Sequence, residues 1–116
     1  MDTVTIKIAS AFSKTPGPRY IHEGKWSGEK FRKEQFFKFF DDAIKANQKV
    51  IVDLDGTLGY GTSFLEEIFG GLIRIHHLNY DDIVNRLTII SEEESYLIDD
   101  IMHYLKEAHE KALVSS

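Results

Sequence analysis

Apolar and polar residues alternate at the start of the chain, where Val4, Ile6 and Ile8 are separated by Thr5 and Lys7, so Thr3 to Ala9 reads as a half-buried strand. Ser10 to Pro18 holds both prolines and a glycine, which is loop chemistry, and Arg19-Tyr20-Ile21-His22 is long enough for a second strand hairpinned onto the first. A turn at Glu23 to Trp26 then delivers Ser27, placed to cap a helix with Glu29 in its first turn. That helix is expected from about Gly28 to Ala46. Phe36, Phe40, Ala43 and Ile44 share one face, predicting a helix laid flat on a sheet; Phe37 and Phe39 fall partly off it and would mark a partner surface if exposed.

Val50 to Leu54 is a short apolar run bounded by turn residues, as in a buried central strand. After a glycine-punctuated bend comes a second helix, roughly Ser63 to Ile75, whose Ser63 and Glu66 have capping-box spacing. Leu65, Ile68, Phe69, Leu72 and Ile75 form its stripe. Glycine inside a helix costs about 1 kcal/mol per residue against alanine, so Gly70-Gly71 predicts either close packing against a neighbouring backbone, the preferred reading, or a bend in the helix. Asn79 can cap a short helix over Tyr80 to Arg86, Leu87 to Ile90 reads as the last strand, and Ser91 with Glu94 forms another capping box. A terminal helix follows to about Ala112, with Ile98, Ile101, Met102, Leu105 and Ala108 inward. The predicted order is β-β-α-β-α-α-β-α: one α/β domain over residues 1–116, core about 3–112, with a mixed four-stranded sheet and a right-handed crossover from the central to the last strand.

Composition narrows the chemistry. Hydrophobic residues make up 42% and charged residues 28%, as in ordinary globular domains. The start lacks the pattern of a signal peptide and no apolar run reaches spanning length, so a cytoplasmic protein without membrane contact is expected. The absence of cysteine removes disulfides, thiolate nucleophiles and cysteine-based metal sites. A net charge of −5 argues against a phosphate-backbone contact, and the basic residues from Lys25 to Lys33 are interrupted by Glu29, as on a solvated helix face.

Candidate chemistry gathers at the bend after the central strand, because a strand feeding a helix through such a turn aims free N–H groups at one spot. Ser63 is either a plain cap or a phospho-acceptor, with Thr62 beside it; Asp53 and Asp55 are either turn-formers or ligands; Gly56, Gly59 and Gly61 can form a backbone nest for an anion or nucleotide. Glu66 and Glu67 point about 100° apart on a helix, so only one can face the sheet, and a buried glutamate there needs a base. His76-His77 lack a nearby third ligand.

Taken alone, Val50-Ile51-Val52-Asp53-Leu54-Asp55-Gly56-Thr57-Leu58 resembles the first motif of the haloacid-dehalogenase-like hydrolases. That resemblance implies a magnesium-dependent phosphohydrolase with Asp53 as nucleophile and Asp55 as acid and base. The element order resembles STAS domains, the fold of anti-sigma-factor antagonists, in which Ser63 would fall on the phosphorylated position while Gly61 and Phe64 depart from the usual aspartate and glycine. Arg19, Trp26-Ser27-Gly28 and the run Gly59-Tyr60-Gly61-Thr62-Ser63-Phe64-Leu65-Glu66-Glu67-Ile68-Phe69-Gly70-Gly71-Leu72 resemble a bacterial and phage STAS-like family of unknown function, sometimes fused to or encoded beside a histidine-kinase-type ATPase. This implies a non-catalytic, regulatory protein-binding module that requires no cofactor or metal, contacts its partner through 59–67, and engages Arg19, Trp26, Ser27, Gly59, Tyr60, Gly61, Phe64 and Glu67. It implies Arg19 as the base facing the buried glutamate. A histidine-kinase-type ATPase is the expected partner, with self-association open, and an anion sensor at the second helix's N-terminus is the remaining alternative.

Overall fold

The computed structural model describes residues 2–115. Its sheet has three strands, β1 (Thr3–Lys7), β2 (Lys49–Asp53) and β3 (Leu87–Ile90), in the order β1-β2-β3, all parallel. The register aligns Val4 with Val50 and Leu87, and Ile6 with Val52 and Ile89. These side chains point to the helices, and Ile6, Val50 and Val52 are buried there. The other face carries Thr3, Thr5, Lys7, Lys49 and Thr88, all exposed, with Ile51, Asp53 and Ile90 half-buried.

The expected second strand does not form, so the sheet has three strands instead of four and is parallel instead of mixed. The reason lies in where the backbone of that segment is used. The carbonyls of Pro18 and Arg19 accept the N–H groups of Gly28 and Glu29, free donors at a helix start, while the Ile21 N–H donates to the Glu29 carboxylate. Ile21–Glu23 closes as one turn of 3-10 helix. The Tyr20 and Ile21 backbone groups are likewise taken, by Glu23, Gly24 and Glu29, so the segment is held as a cap and not in a ladder.

Ile8–Ala11 forms a short helix, α1, directly after β1. From Gly28 the chain is helical to Lys45, as the apolar spacing predicts: α2 (Gly28–Phe31), a π-helical segment (Arg32–Phe36) and α3 (Phe37–Lys45) run end to end. Ser27 caps it, its hydroxyl accepting the Lys30 N–H at 3.1 Å. The π segment adds a residue to the turn. Phe31 and Phe36, five apart, therefore both point inward with Phe40 and Ala43, and Arg32 is carried into the interior with them. Phe39 and Phe37 are half-buried, the latter stacked on His76 at 3.9 Å.

Helix α4 (Thr62–Arg74) is buried on almost every side, including Phe64, Leu65, Glu67, Ile68, Phe69, Gly70, Gly71, Leu72 and Ile73. It lies between α2 and α6. Helix α5 (Tyr80–Val84) is capped by Asn79 as its sequence indicates, and α6 (Tyr96–Ser115) turns Leu97, Ile101, Leu105 and Ala108 inward. The α6 stripe includes Leu97, while Ile98 and Met102 are only half-buried. Ser91 and Glu94 do not form the expected capping box: the Ser91 hydroxyl donates to the Glu94 carbonyl, and α6 starts at Tyr96.

The core is aromatic on one side of α4, where Phe36 meets Phe31 and Phe40 at 5.1 Å each and Phe69 edge-on at 5.1 Å. Phe36→Ala is expected to lower the unfolding free energy by about 3–5 kcal/mol, read as a fall in the urea midpoint at unchanged slope.

Candidate functional site

The bend after β2 is built by its own carboxylates. Asp53 Oδ1 accepts the Asp55 N–H at 3.0 Å and its other oxygen faces Lys7 Nζ at 3.3 Å. The Asp55 carboxylate accepts the N–H groups of Glu92 and Glu93 at 3.1 and 3.0 Å, tying the end of β2 to the connection between β3 and α6. The Glu93 carboxylate accepts the Gly56 N–H in return, so one donor of the expected anion nest is already taken. The space between these groups, lined by Asp55, Thr57, Tyr60 and Glu93, is a cavity of about 10 Å³, room for about one water molecule. Among the described residues no group of three or more His, Cys, Asp or Glu is placed to hold a metal ion.

Tyr60 donates to the Leu54 carbonyl at 2.8 Å, and burial pushes its hydroxyl pKa up. The Leu58 N–H donates to the Lys14 carbonyl at 2.8 Å, fastening the bend to the first loop. Gly59 turns through φ 128°, a left-handed conformation that favours glycine. Between these anchors the Leu58 side chain stands 88% exposed.

Helix α4 begins one residue earlier than expected. Gly61 is the N-cap, Thr62 and Ser63 are the first helical residues, and no side chain caps the end, so Ser63 is not the cap. Its expected partner Glu66 is engaged elsewhere. Gly61, Thr62 and Ser63 are all exposed, whereas Phe64 is buried. Tyr60 is half-buried against Phe64 at 5.9 Å, and Phe64 meets Phe12 at 6.2 Å. Phe12 packs on Phe31 at 4.9 Å and edge-on against Trp26 at 5.5 Å. An aromatic chain thus runs from the bend to Trp26, which is held at φ 58° at the end of a loop that also exposes Tyr20 and Ile21.

Below this face lies a network of charge. Glu67, 4% exposed, accepts from Arg32 Nη2 at 2.9 Å and from Arg19 Nη1 at 3.2 Å. Arg32, 2% exposed, also meets His76 Nε2 at 2.8 Å through Nη1. Glu66 is bound by Arg19 and by both Arg74 amino groups, at 2.9 and 3.1 Å for the latter. Burial opposes ionisation of Glu66, but the hydrogen bonds from Arg74 and Arg19 outweigh it and hold its carboxyl below the usual range. Of the consecutive glutamates it is Glu67 that is buried.

Arg19 does face the glutamates, as the family pattern implies, while Arg32, Arg74 and His76 are partners that sequence reasoning missed. The overlooked signal was Gly71. A Cβ there would lie 2.6 Å from both Cδ and Nε of Arg32, so the glycine makes room for a side chain and not for a backbone. Gly28 serves similarly, since its Cβ would lie 2.9 Å from the Phe64 carbonyl and 3.1 Å from the Glu67 Cβ. The proposed contact residues therefore fall into two groups. Trp26 and Gly61 reach the surface with Gly59 and Tyr60 partly so, whereas Ser27, Phe64 and Glu67, with Arg19 at the margin, hold that surface from beneath.

Glu67→Gln leaves Arg32 as a buried charge without its counterion and is expected to cost about 3–5 kcal/mol in chemical denaturation; Gly71→Ala, by crowding Arg32, costs about 1–3 kcal/mol. Burial first, then Arg32 and His77, lower the His76 pKa below its unfolded value of 6.5. Because the native state then binds fewer protons than the unfolded chain, this contribution is present above pH 6.5 and is lost progressively as pH falls from there through the lower folded value. Stability measured from pH 7.5 to 5 should decline more steeply in the wild type than in His76→Gln, which keeps an acceptor that does not titrate.

Comparisons with the curated proteins and with solved structures find no match. A family model described as a STAS-like domain of unknown function matches residues 27–97, a stretch that starts at the α2 cap, includes all of α4 and ends in the first turn of α6. Gly28, Arg32, Glu66, Glu67, Gly71 and Arg74, which build most of the buried network and its clearances, all lie within it, while Arg19 lies outside. With more than half of its length matched, the chain belongs to this family of STAS-like domains.

Proposed function

We propose that this chain is a non-catalytic regulatory module that binds a protein partner through the bend and helix start 59–67 together with Leu58 and the Tyr20–Trp26 loop. The observation that carries the reading is a division of labour at one place. The carboxylates of Asp53 and Asp55 are engaged with backbone N–H groups and Lys7, while Leu58, Gly61, Thr62 and Ser63 stand exposed beside them. The Leu58 side chain, held almost fully in water on a fastened backbone, is free to bury against a partner. Family association makes a histidine-kinase-type ATPase the preferred partner class. Phosphorylation of the exposed Ser63 hydroxyl is the preferred switch, because the added phosphate would sit at the positive end of α4 and change the charge of the docking face by roughly −2.

The test uses a purified histidine-kinase-type ATPase domain from a protein in which such a domain is fused to a member of this family, titrated calorimetrically with the present chain. Binding is expected, with Leu58→Asp weakening it at least about tenfold, or 1.4 kcal/mol, and Lys106→Glu on α6 leaving it unchanged. Absence of binding, or equal binding by Leu58→Asp, counts against this face. With ATP and magnesium added, intact mass should show one phosphoryl group on the wild type and none on Ser63→Ala; no gain on the wild type removes the switch and leaves simple docking.

A further inference from the structure

Positive charge is concentrated in one stretch of this chain. From Lys14 to Lys33 there are six basic side chains and two acidic ones, a local charge of +4 where the formal net charge of the whole is −5. Most of these bases have a partner in the fold. Arg19 and Arg32 are bound to Glu66 and Glu67, and along the first long helix Lys30 meets Glu34 at 3.3 Å and Lys33 meets Glu29 at 3.2 Å. Lys14 and Lys25 remain. Both are exposed, and among the described residues neither has a carboxylate partner; Lys25 Nζ lies instead 6.0 Å from the centre of the Trp26 ring. These two lysines border the exposed apolar residues of the docking face. The Lys14 carbonyl accepts the Leu58 N–H and the Gly17 N–H donates to the Trp26 carbonyl at 2.9 Å, so the backbone from Lys14 to Gly17 joins Leu58 to Trp26, over a span of about 11 Å at most. The acidic side chains around the face are already engaged: Asp53 faces Lys7, Asp55 and Glu93 accept backbone N–H groups, and the Glu23 carboxylate accepts the Tyr20 N–H at 2.9 Å. Glycine would suit the backbone at Trp26, φ 58°, better than tryptophan does, so what that position supplies is the indole itself, packed edge-on against Phe12 and partly open to solvent.

We propose that the segment of the protein partner received by this face is acidic, with one of its apolar side chains packed between Leu58 and Trp26 and its carboxylates paired with Lys14 and Lys25. This rests on the reading of the face as a docking site and adds the chemistry of what docks there. Burial of Leu58 and the open part of the indole supplies the attraction, while two ammonium groups without counterions at the border select the sign of charge the partner must bring. A like-charged segment would meet both lysines unpaired. An extended polyanion such as a nucleic acid fits the face less well, because the net charge of −5 repels it and a phosphate backbone makes no use of an exposed leucine.

The ATPase domain of the preceding test serves as the probe, titrated with the full chain. Its affinity is expected to fall as sodium chloride rises, and the double variant Lys14→Glu/Lys25→Glu to bind at least about tenfold more weakly at low salt. Lys49→Glu/Lys106→Glu changes the net charge by the same amount at exposed lysines away from the face, one opening β2 at the end opposite the bend and one on α6, and should bind as the wild type does. A second measurement needs no variant: carbodiimide coupling of the wild-type complex, which joins an amine to a carboxylate with loss of water, should link Lys14 or Lys25 to an aspartate or glutamate of the ATPase domain, located by peptide mass mapping. If Leu58→Asp weakens binding but the two double variants bind alike, or coupling reaches neither Lys14 nor Lys25, or a DNA oligonucleotide displaces the domain, the acidic partner segment is overturned while the docking face stands. If the domain does not bind, or binds Leu58→Asp as it binds the wild type, the docking reading and this inference fall together.

Discussion

The ion pair between Arg32 and Glu67 constrains the rest of this structure. Two charges almost entirely out of water are tolerable only when each is held by the other and by further polar groups, because an unpaired buried charge costs several kcal/mol. Arg32 therefore has to be brought inside by the π segment, Glu67 has to lie on the inner side of α4, and two glycines have to keep the path clear. Arrangements that place α2 differently against α4 would strand one charge or the other. The pair contributes geometry more than net stability, and the geometry it sets is the crossing of the two helices that support the exposed face.

From that crossing the constraint passes outward. Arg19 reaches both Glu66 and Glu67 from the first loop, and the same loop gives its carbonyls to the start of α2. The loop is thus fastened through both its side chains and its backbone, and Trp26 and Tyr20 are displayed on a rigid support. Arg74 closes the network at the far end of α4, while His76 joins Arg32 to the aromatic surface of Phe37. Arg19, Glu66 and Glu67, which lie far apart or side by side in the family-like pattern, are in three dimensions parts of one packed polar cluster with Arg32 and Arg74.

The sheet shows the same economy in a different form. Three parallel strands leave two edges and a second face on which exposed Thr3, Thr5, Lys7, Lys49 and Thr88 surround half-buried Ile51 and Ile90, and the Asp55 carboxylate fastens β2 to the segment that follows β3. An aspartate-rich bend that, as a string of letters, matches a phosphohydrolase motif is here engaged in holding backbone. Which of these a carboxylate does depends on how many N–H groups surround it, and those come from Glu92 and Glu93, distant in sequence.

Periodicity and capping chemistry by themselves determined the α/β class, the long aromatic helix with its Ser27 cap, the central and last strands, and the Asn79 cap, because each follows from side chains within a few residues of one another. The exposure of Ser63, the identity of the buried glutamate and the partners of Asp55 were decided only by tertiary structure, since each depends on donors brought from elsewhere in the chain. Arg19 to His22 shows the difference most plainly: locally it has the length of a strand, but the Arg19 carbonyl goes to the amide of Glu29 at the start of α2, and those of Tyr20 and Ile21 close the segment's own turn. The same holds for Ser91 and Ser63, whose spacing to a glutamate satisfies the capping pattern while Glu94 and Glu66 are engaged otherwise. A sequence states what each backbone donor can accept nearby; only the folded chain settles which acceptor arrives.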